Sequence, residues 1–232
     1  MPEARRFSVF VTGTDTGVGK TLVSCALLHA LAKHHARAVG MKPVAAGTEL
    51  IDGRQANEDV LALRGASSCR VPPELDNPVL LPDPVSPHIA AARAGVRISM
   101  AHIVACHRQL LHLADAVVVE GAGGFMVPLS ETETGADLAT ALNLPVVLVV
   151  GLRLGCLNHA LLTAQAIRAR GLTLAGWAAN HIDPGMLAQA GNIAFLQQQL
   201  AAPLLASIPF QSKPDPRNIT MDIPPAWQVQ PF

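Results

Sequence analysis

The 232-residue chain has no net charge and few charged residues. Its 17 Lys and Arg balance its 17 Asp and Glu, and charged residues make up only 15% of the composition. No basic or acidic block is present, so the sequence gives no sign of electrostatic binding to a nucleic acid or an anionic membrane. Half of the residues are apolar, enough to build a large buried core. These properties predict a single domain over residues 1–232 that binds neither nucleic acid nor membrane.

Long apolar segments are also lacking. The longest run, LPVVLVVGL at residues 144–152, has about half of the roughly 20 residues that a membrane-spanning helix needs, and it predicts a buried strand. The apolar stretch at residues 7–11 is much shorter than the core of a secretory signal, and no small-residue cleavage site follows it. We therefore expect a cytoplasmic protein.

Cysteine is scarce, and its spacing excludes two common uses. The four cysteines, at positions 25, 69, 106 and 156, form neither a CxxC metal site nor the framework of a small disulfide-rich domain. We expect reduced thiols, mostly in the core.

Strand-length apolar runs alternate with helix-length amphipathic segments, which is typical of an α/β protein with a mostly parallel sheet. Strands are predicted at residues 7–12, 38–44, 116–119, 146–150, 173–179 and 204–208. Helices are predicted at residues 22–32, 57–63, 100–113, 157–170 and 186–200. Prolines predict loop structure between residues 72 and 87, glycines predict a turn at 121–124, and the Pro-rich segment 211–232 predicts a loosely ordered tail.

The strongest local motif is GTDTGVGKT at residues 13–21, between a predicted strand and a predicted helix. Backbone N–H groups of such a loop and the following helix N-terminus attract phosphate oxygens. Lys20 adds a full positive charge, and the Thr21 hydroxyl can bind Mg²⁺. Five residues separate Gly13 from Gly19, whereas the usual Walker A spacing is four. The motif therefore predicts a variant phosphate-binding loop for a nucleotide.

Two acidic residues are candidate partners for such a magnesium ion. Glu120 ends the predicted strand 116–119, at the position that a Walker B acid usually takes. Asp59 lies beside a predicted helix start, where an acid that complements the helix dipole is the simpler interpretation.

Two further polar residues follow predicted strands. Lys42 lies at the end of the second strand, where it is either an anion-binding group at the ligand edge of the sheet or an ordinary surface lysine. Asn180 follows the strand 173–179 and carries an amide suited to the edge of an adenine base.

Taken together, several segments resemble the dethiobiotin synthetase family. They are FVTGTDTGVGKT at 10–21, GMKPVAAG at 40–47, SPHIAA at 86–91, VEGAGG at 119–124, VVGLRLGCLNHALLTAQ at 149–165 and GLTLAGWAAN at 171–180. The resemblance covers residues 7–210 in order, and the five-residue spacer of the loop is a family trait. It implies an α/β domain of the P-loop NTPase type, with about seven mostly parallel strands flanked by helices, that works as a homodimer.

The resemblance also implies a reaction. The family uses ATP and Mg²⁺ to join CO₂ to 7,8-diaminononanoate (7,8-diaminopelargonate), giving dethiobiotin, ADP and phosphate in biotin biosynthesis. The steps pass through a carbamate and a carbamic-phosphoric anhydride, and the product is a cyclic urea.

Site residues follow from the resemblance position by position. Lys42 matches the lysine at the carbamate, Thr16 a residue near the substrate amines, and Lys20 the phosphate-stabilising lysine. The magnesium ligands would be Thr21, Asp59 and Glu120. The ATP contacts would be Gly17, Val18, Gly19, Lys20, Thr21, Leu22, Asn180, Ile208, Pro209 and Phe210. The stretch that reaches the substrate carboxylate across the dimer would be Gly155, Cys156 and Asn158. Ala46 departs from the family, which usually has serine there, so one substrate hydrogen bond is expected to be missing.

A different function class remains as an alternative. Related variant P-loops serve ATPase switches that are driven by protein partners, and those loops carry an additional lysine in the pattern KGGxGKT. Here Asp15 and Thr16 stand at the Lys-Gly positions, which favours the synthetase.

Overall fold

The computed structural model describes residues 6–51 and 53–228. Its strands are β1 (Phe7–Gly13), β2 (Ala38–Met41), β3 (Val44–Ala46), β4 (Glu49–Ile51), β5 (Arg54–Ala56), β6 (Val79–Leu81), β7 (Ala116–Gly124), β8 (Val146–Leu152), β9 (Leu174–His181) and β10 (Leu204–Ile208). Its helices are α1 (Lys20–Leu31), α2 (Glu58–Ala66), α3 (Pro73–Asp76), α4 (Pro87–Ala94), α5 (Met100–Leu113), α6 (Gly135–Leu142), α7 (Cys156–Ala169) and α8 (Gln189–Gln199). Two short 3₁₀ helices, Pro216–Asn218 and Pro225–Trp227, follow. None of the helices in this part of the chain combines the length and the apolar character needed to cross a membrane.

Six strands form the central sheet, in the order β10-β9-β8-β1-β7-β2, and every neighbouring pair is parallel. Both faces are apolar because helices cover both sides of a parallel sheet. Val118 and Val149 pack with α1 on one face, and Val117 and Val150 pack with residues of α5, α6 and α7 on the other. The carboxyl ends of β1, β7 and β8 therefore meet at one edge, where a ligand crevice is expected.

The family resemblance implies about seven strands in this sheet, whereas the apolar runs predict six, and the structure has six. The predicted strand 38–44 is interrupted at Lys42-Pro43, because Pro43 has no N–H to offer a ladder and the Lys42 N–H donates to the Asp76 carbonyl instead. The chain resumes as β3, which pairs with β6 in a separate two-stranded parallel sheet. The α/β class, the parallel arrangement and the six strands predicted from the apolar runs are confirmed, and the number implied by the resemblance is corrected from about seven to six.

The segment predicted as a proline-rich loop contains α3, β6 and α4. Pro73 and Pro87 each stand at the start of a helix, where a missing N–H has no cost. The sequence reading also missed the β4-β5 hairpin and α6, which Thr134 and Asp137 begin with a capping box. The predicted glycine turn at 121–124 is the end of strand β7.

The end of the described chain packs against α1, contrary to the expectation of a loose tail. Met221 and Trp227 are buried in the same apolar cluster as α1. His35 Nε2 lies 2.7 Å from the Trp227 carbonyl oxygen, and the rings of Phe7 and Trp227 are 5.1 Å apart. These contacts hold residues 221–228 against α1, whereas residues 211–214 are exposed. The prediction for residues 229–232 lies outside the described part.

Candidate active site

The phosphate-binding loop joins β1 to α1 and is supported by Asn180. Gly19 stands immediately before α1 with φ of +91°, a conformation that favours glycine. A Cβ atom at position 19 would come within 2.2 Å of Asn180 Nδ2, and that same amide nitrogen donates to the Val18 carbonyl at 2.9 Å. Asn180, which the sequence predicts to contact adenine, therefore also supports the phosphate-binding loop.

Lys20 extends the loop with a cation that has no carboxylate partner. Its Nζ donates to the Asp15 backbone carbonyl at 3.0 Å, and within the described ranges it forms no ion pair. Burial, followed by the charge of Lys42, lowers the pKa of Lys20, outweighing the nearby acids. A phosphate group would supply the missing countercharge.

Lys42 lies between two carboxylates that come from different parts of the chain. Its Nζ is 2.6 Å from Glu120 Oε1 on β7 and 2.8 Å from Asp59 Oδ2 on α2. Burial lowers the pKa of Lys42, but Glu120 and Asp59 outweigh burial and hold the pKa above its ordinary value. For Asp59 the directions are reversed. Burial raises the pKa of its carboxyl group, but Lys42 more than offsets burial and brings the pKa below its ordinary value. Lys42 is therefore a charged, buried group and not a surface lysine.

The two carboxylates and Thr21 form an oxygen-only donor set. Thr21 Oγ1 lies 2.6 Å from Asp59 Oδ1 and 3.0 Å from Glu120 Oε1. Glu120 is fully buried, and its second oxygen, Oε2, has no hydrogen-bond partner. A buried carboxylate oxygen without a partner is unusual and is an acceptor open to a cation or to a water bound by it. Because Mg²⁺ prefers oxygen ligands, the three side chains fit the predicted magnesium site.

An ion pair at this edge of the sheet was missed by the sequence analysis. Arg153, which directly follows β8, donates from Nη2 to Asp15 Oδ2 at 2.6 Å, and Asp15 Oδ1 accepts the Thr16 N–H at 2.7 Å. β8 neighbours β1, so a charged residue immediately after β8 was a detectable candidate for the same ligand edge. The pair links the phosphate-binding loop to the segment before α7.

The remaining predicted residues lie around this centre without joining the cluster. Ile208 pairs with Asn180 in the sheet, which puts the predicted base-contacting segment beside the predicted adenine contact. In the described part of the chain, no hydrogen bond joins the other predicted substrate residues to the side chains of Lys20, Lys42, Asp59 or Glu120. Of these, Cys156 is buried at the start of α7, Ala46 is partly exposed, and the exposed ones are Thr16, Gly155 and Asn158. Of the predicted ATP contacts, Val18 and Ile208 are buried, Leu22 is partly exposed, and Gly17, Pro209 and Phe210 are exposed.

Comparison with known proteins gives one family and several similar folds. A family model described as AAA domain (AAA_26) matches residues 8–218. A ParA family ATPase from Chlorobium tepidum TLS has a TM-score of 0.54 at 14% identity, over 90% of this chain and 86% of that one. A chain of the MinC:MinD cell division protein complex of Aquifex aeolicus has a TM-score of 0.55 at 17% identity, over 89% of this chain and 82% of that one. MinD complexed with Mg-ADP from Pyrococcus horikoshii OT3 scores 0.53 at 18% identity, over 88% and 81%. These likenesses establish the P-loop NTPase fold.

Proposed function

We propose that the chain, which belongs to the AAA_26 family of AAA domains, is a dethiobiotin synthetase that uses MgATP to join CO₂ to 7,8-diaminononanoate. The family includes dethiobiotin synthetase, and the sequence resemblance extends from the phosphate-binding loop to Phe210. The observation that carries the proposal is Lys42. Lys42 is a second buried cation in addition to Lys20, and its Nζ lies 2.6 Å from Glu120 Oε1 on β7. A hydrolytic switch has no obvious use for it, whereas a carbamate intermediate needs a cation.

The proposed reaction has three steps. One substrate amine attacks CO₂, releases a proton and forms a carbamate. A carbamate oxygen attacks the γ-phosphorus of ATP, giving a carbamic-phosphoric anhydride and ADP. The second amine then attacks the carbonyl carbon, the C–O bond to phosphate breaks, and the amine proton leaves with the phosphate as the cyclic urea closes.

The site residues contribute mainly electrostatic stabilisation and positioning. Lys20 would stabilise negative charge on the transferring phosphoryl group, and Lys42 would stabilise the carbamate. Thr21, Asp59 and Glu120 would hold Mg²⁺, which when bound neutralises charge on the phosphate oxygens. Thr16 would contact the amines. This division of roles needs little acid–base machinery, because charge stabilisation and geometry supply most of the catalysis.

The proposed working form is a homodimer in which the stretch Gly155, Cys156 and Asn158 reaches the substrate carboxylate of the other subunit. The same region exposes apolar side chains: Leu154 is 94% exposed and Leu162, on α7, is 57% exposed. Large exposed apolar side chains beside a functional segment favour a protein contact there. Light scattering after size-exclusion chromatography tests this proposal, and a mass of one chain at micromolar concentration would oppose it.

A partner-driven ATPase switch is the second candidate, and the fold likeness to ParA and MinD proteins favours it. Asp15 weighs against it. An acid stands where the switch loops carry lysine, and it is engaged by Arg153 at 2.6 Å.

Mass spectrometry of the reaction product separates the two candidates. Purified protein is incubated with diaminononanoate, bicarbonate and MgATP, and each reactant is omitted in turn. We expect the cyclic urea only when all three are present. ATP hydrolysis without any urea would reject the synthetase and favour the switch.

A further inference from the structure

The backbone of Lys42 is held from outside the central sheet. Strand β2 ends at Met41 and Pro43 follows, so the peptide groups of Lys42 are not part of the ladder. The Lys42 N–H donates to the Asp76 carbonyl at 2.7 Å, and Asn77 Nδ2 donates to the Lys42 carbonyl at 2.7 Å. Two consecutive residues at the end of α3 therefore fix both peptide groups of the proposed carbamate lysine.

Arg64 in turn fixes the end of α3. Its Nε donates to Asp76 Oδ2 at 2.8 Å, its Nη2 donates to Asp76 Oδ1 at 2.5 Å, and Nη2 also lies 3.2 Å from the Pro73 carbonyl oxygen. The Asp76 side chain is only 5% exposed. Paired arginine–carboxylate hydrogen bonds set a defined geometry, so Arg64 orients α3 as well as attaching it.

The polar contacts matter because packing on this side is incomplete. A cavity of about 390 Å³ lies between β5, α2, α3 and β6, and its lining includes Val60, Arg64, Pro73, Asn77 and Leu80. An open cavity provides few van der Waals contacts to restrain its walls. Buried Leu75 packs the other side of α3 against α5 and the core. On the side that faces α2 and the cavity, the Arg64–Asp76 pair therefore sets the position of α3.

We propose that Arg64, Asp76 and Asn77 are positioning residues that set the place of the Lys42 ammonium group between Glu120 and Asp59. The inference rests on the proposed function for its catalytic meaning. Helix α2 acts on both the side chain and the backbone of Lys42. Asp59 contacts the ammonium group directly, and Arg64 acts on the backbone through Asp76. Displacing a charge-stabilising group by about 1 Å can cost on the order of 10²-fold in rate.

The first test compares turnover in Arg64→Ala and Asn77→Ala with that in a matched control. Arg37→Ala breaks another arginine–aspartate pair, with Asp115, at the opposite end of β2. We expect kcat for dethiobiotin to fall at least tenfold in Arg64→Ala and Asn77→Ala, with KM for ATP within twofold. Arg37→Ala should keep kcat within twofold, and Arg64→Lys should recover part of the loss. Equal kcat losses in Arg64→Ala and Arg37→Ala would overturn the proposal.

The second test does not need the synthetase activity. The chain has four lysines, and Lys33 and Lys213 are exposed. Folded samples, verified by circular dichroism, are acetylated with an N-hydroxysuccinimide ester, and each lysine is followed by peptide mass spectrometry. We expect Lys42 to be protected in the unaltered protein and to react at least tenfold faster in Arg64→Ala and Asn77→Ala, with Lys33 and Lys213 unchanged.

The two tests separate the positioning proposal from the proposed function. If the unaltered protein forms no dethiobiotin, the synthetase is rejected while the acetylation rates still decide whether these residues hold Lys42. Unchanged acetylation of Lys42 in both alanine variants would overturn the positioning role even if dethiobiotin is formed.

Discussion

The two buried lysines of the site have opposite surroundings. Lys20 and the backbone carbonyl to which it donates both lie in the phosphate-binding loop. Burial is the largest cause of its lowered pKa. Lys42 lies where several distant segments meet, and Glu120 and Asp59 hold its pKa above its ordinary value despite burial. Among the described residues, Lys20 is thus a cation without an ion-pair partner, and a bound phosphate would supply one. Lys42 already neutralises two acids, and its removal should affect the folded state itself.

The largest expected effect is that of Lys42→Ala. Breaking a buried ion pair leaves Glu120 without a compensating charge, which costs about 3–5 kcal/mol of unfolding free energy. Loss of one charge stabiliser should also lower kcat by about 10² or more, roughly 3 kcal/mol. Urea denaturation without nucleotide measures the first quantity, and dethiobiotin formation measures the second. Unchanged stability would show that the acids do not depend on Lys42.

Lys20→Ala should match Lys42→Ala in turnover but not in stability. We expect kcat to fall by about 10², because the same kind of charge is lost from the phosphate site. The unfolding free energy should stay the same or rise, because burial disfavours the unpaired Lys20 cation. The same denaturation series provides the measurement. A loss of stability comparable to that of Lys42→Ala would abolish the contrast between the two lysines.

Glu120→Gln removes a charge that Lys42 and the proposed metal share. Affinity for Mg²⁺ should fall about tenfold or more, equivalent to about 1.4 kcal/mol, since one anionic ligand becomes neutral. Magnesium titration of activity and of ADP binding measures the shift. Among the described residues, Lys20 forms no ion pair with Glu120, so ADP binding in the absence of metal serves as the control and should change less than binding in its presence. An unchanged titration would remove Glu120 from the metal site.

Ala46→Ser is expected to have the smallest effect. It introduces the hydroxyl that the dethiobiotin synthetase family, which the sequence resembles, usually carries at this position, and one neutral hydrogen bond contributes roughly 0.5–1.5 kcal/mol. KM for diaminononanoate should therefore stay equal or fall by at most about tenfold. A tenfold rise would show that the pocket around β3 is built differently from that of the family.

The same contrast explains how much of the site was predictable. Residues 13–21 carry the phosphate-binding chemistry within one segment, so their role follows from the local pattern. Asp59 alone reads as a helix-start acid, and only the fold puts it 2.8 Å from Lys42. Arg64 has no local signal at all, because its partner Asp76 belongs to another helix. Contacts between distant segments are not encoded in the spacing of residues along the chain.

For the fold, the sequence predicted the strongly periodic elements and missed the shortest ones. The helix at Met100–Leu113 and the strand at Leu204–Ile208 agree with prediction residue for residue, because their apolar periodicity is strong. The pair β3-β6 and the helix α6 were missed, since strands of three residues and a helix of about two turns carry too little periodicity to be recognised. Tail packing through Trp227 likewise depends on a surface that only the folded sheet provides.

The central position of β1 has a consequence for how the chain folds while it is being synthesised. Phe7 pairs with Ala116, and Phe10 pairs with Val146, so the first strand acquires its neighbours only from residues more than 100 positions later. Such distant pairings are slow to form because a long loop must close before any contact is gained. During synthesis, β1 is therefore made more than 100 residues before the strands on either side of it, and its two neighbours are both available only after β8 has been made. An apolar strand without its partners is prone to aggregation, so we expect this part of the chain to benefit from chaperones or rapid elongation.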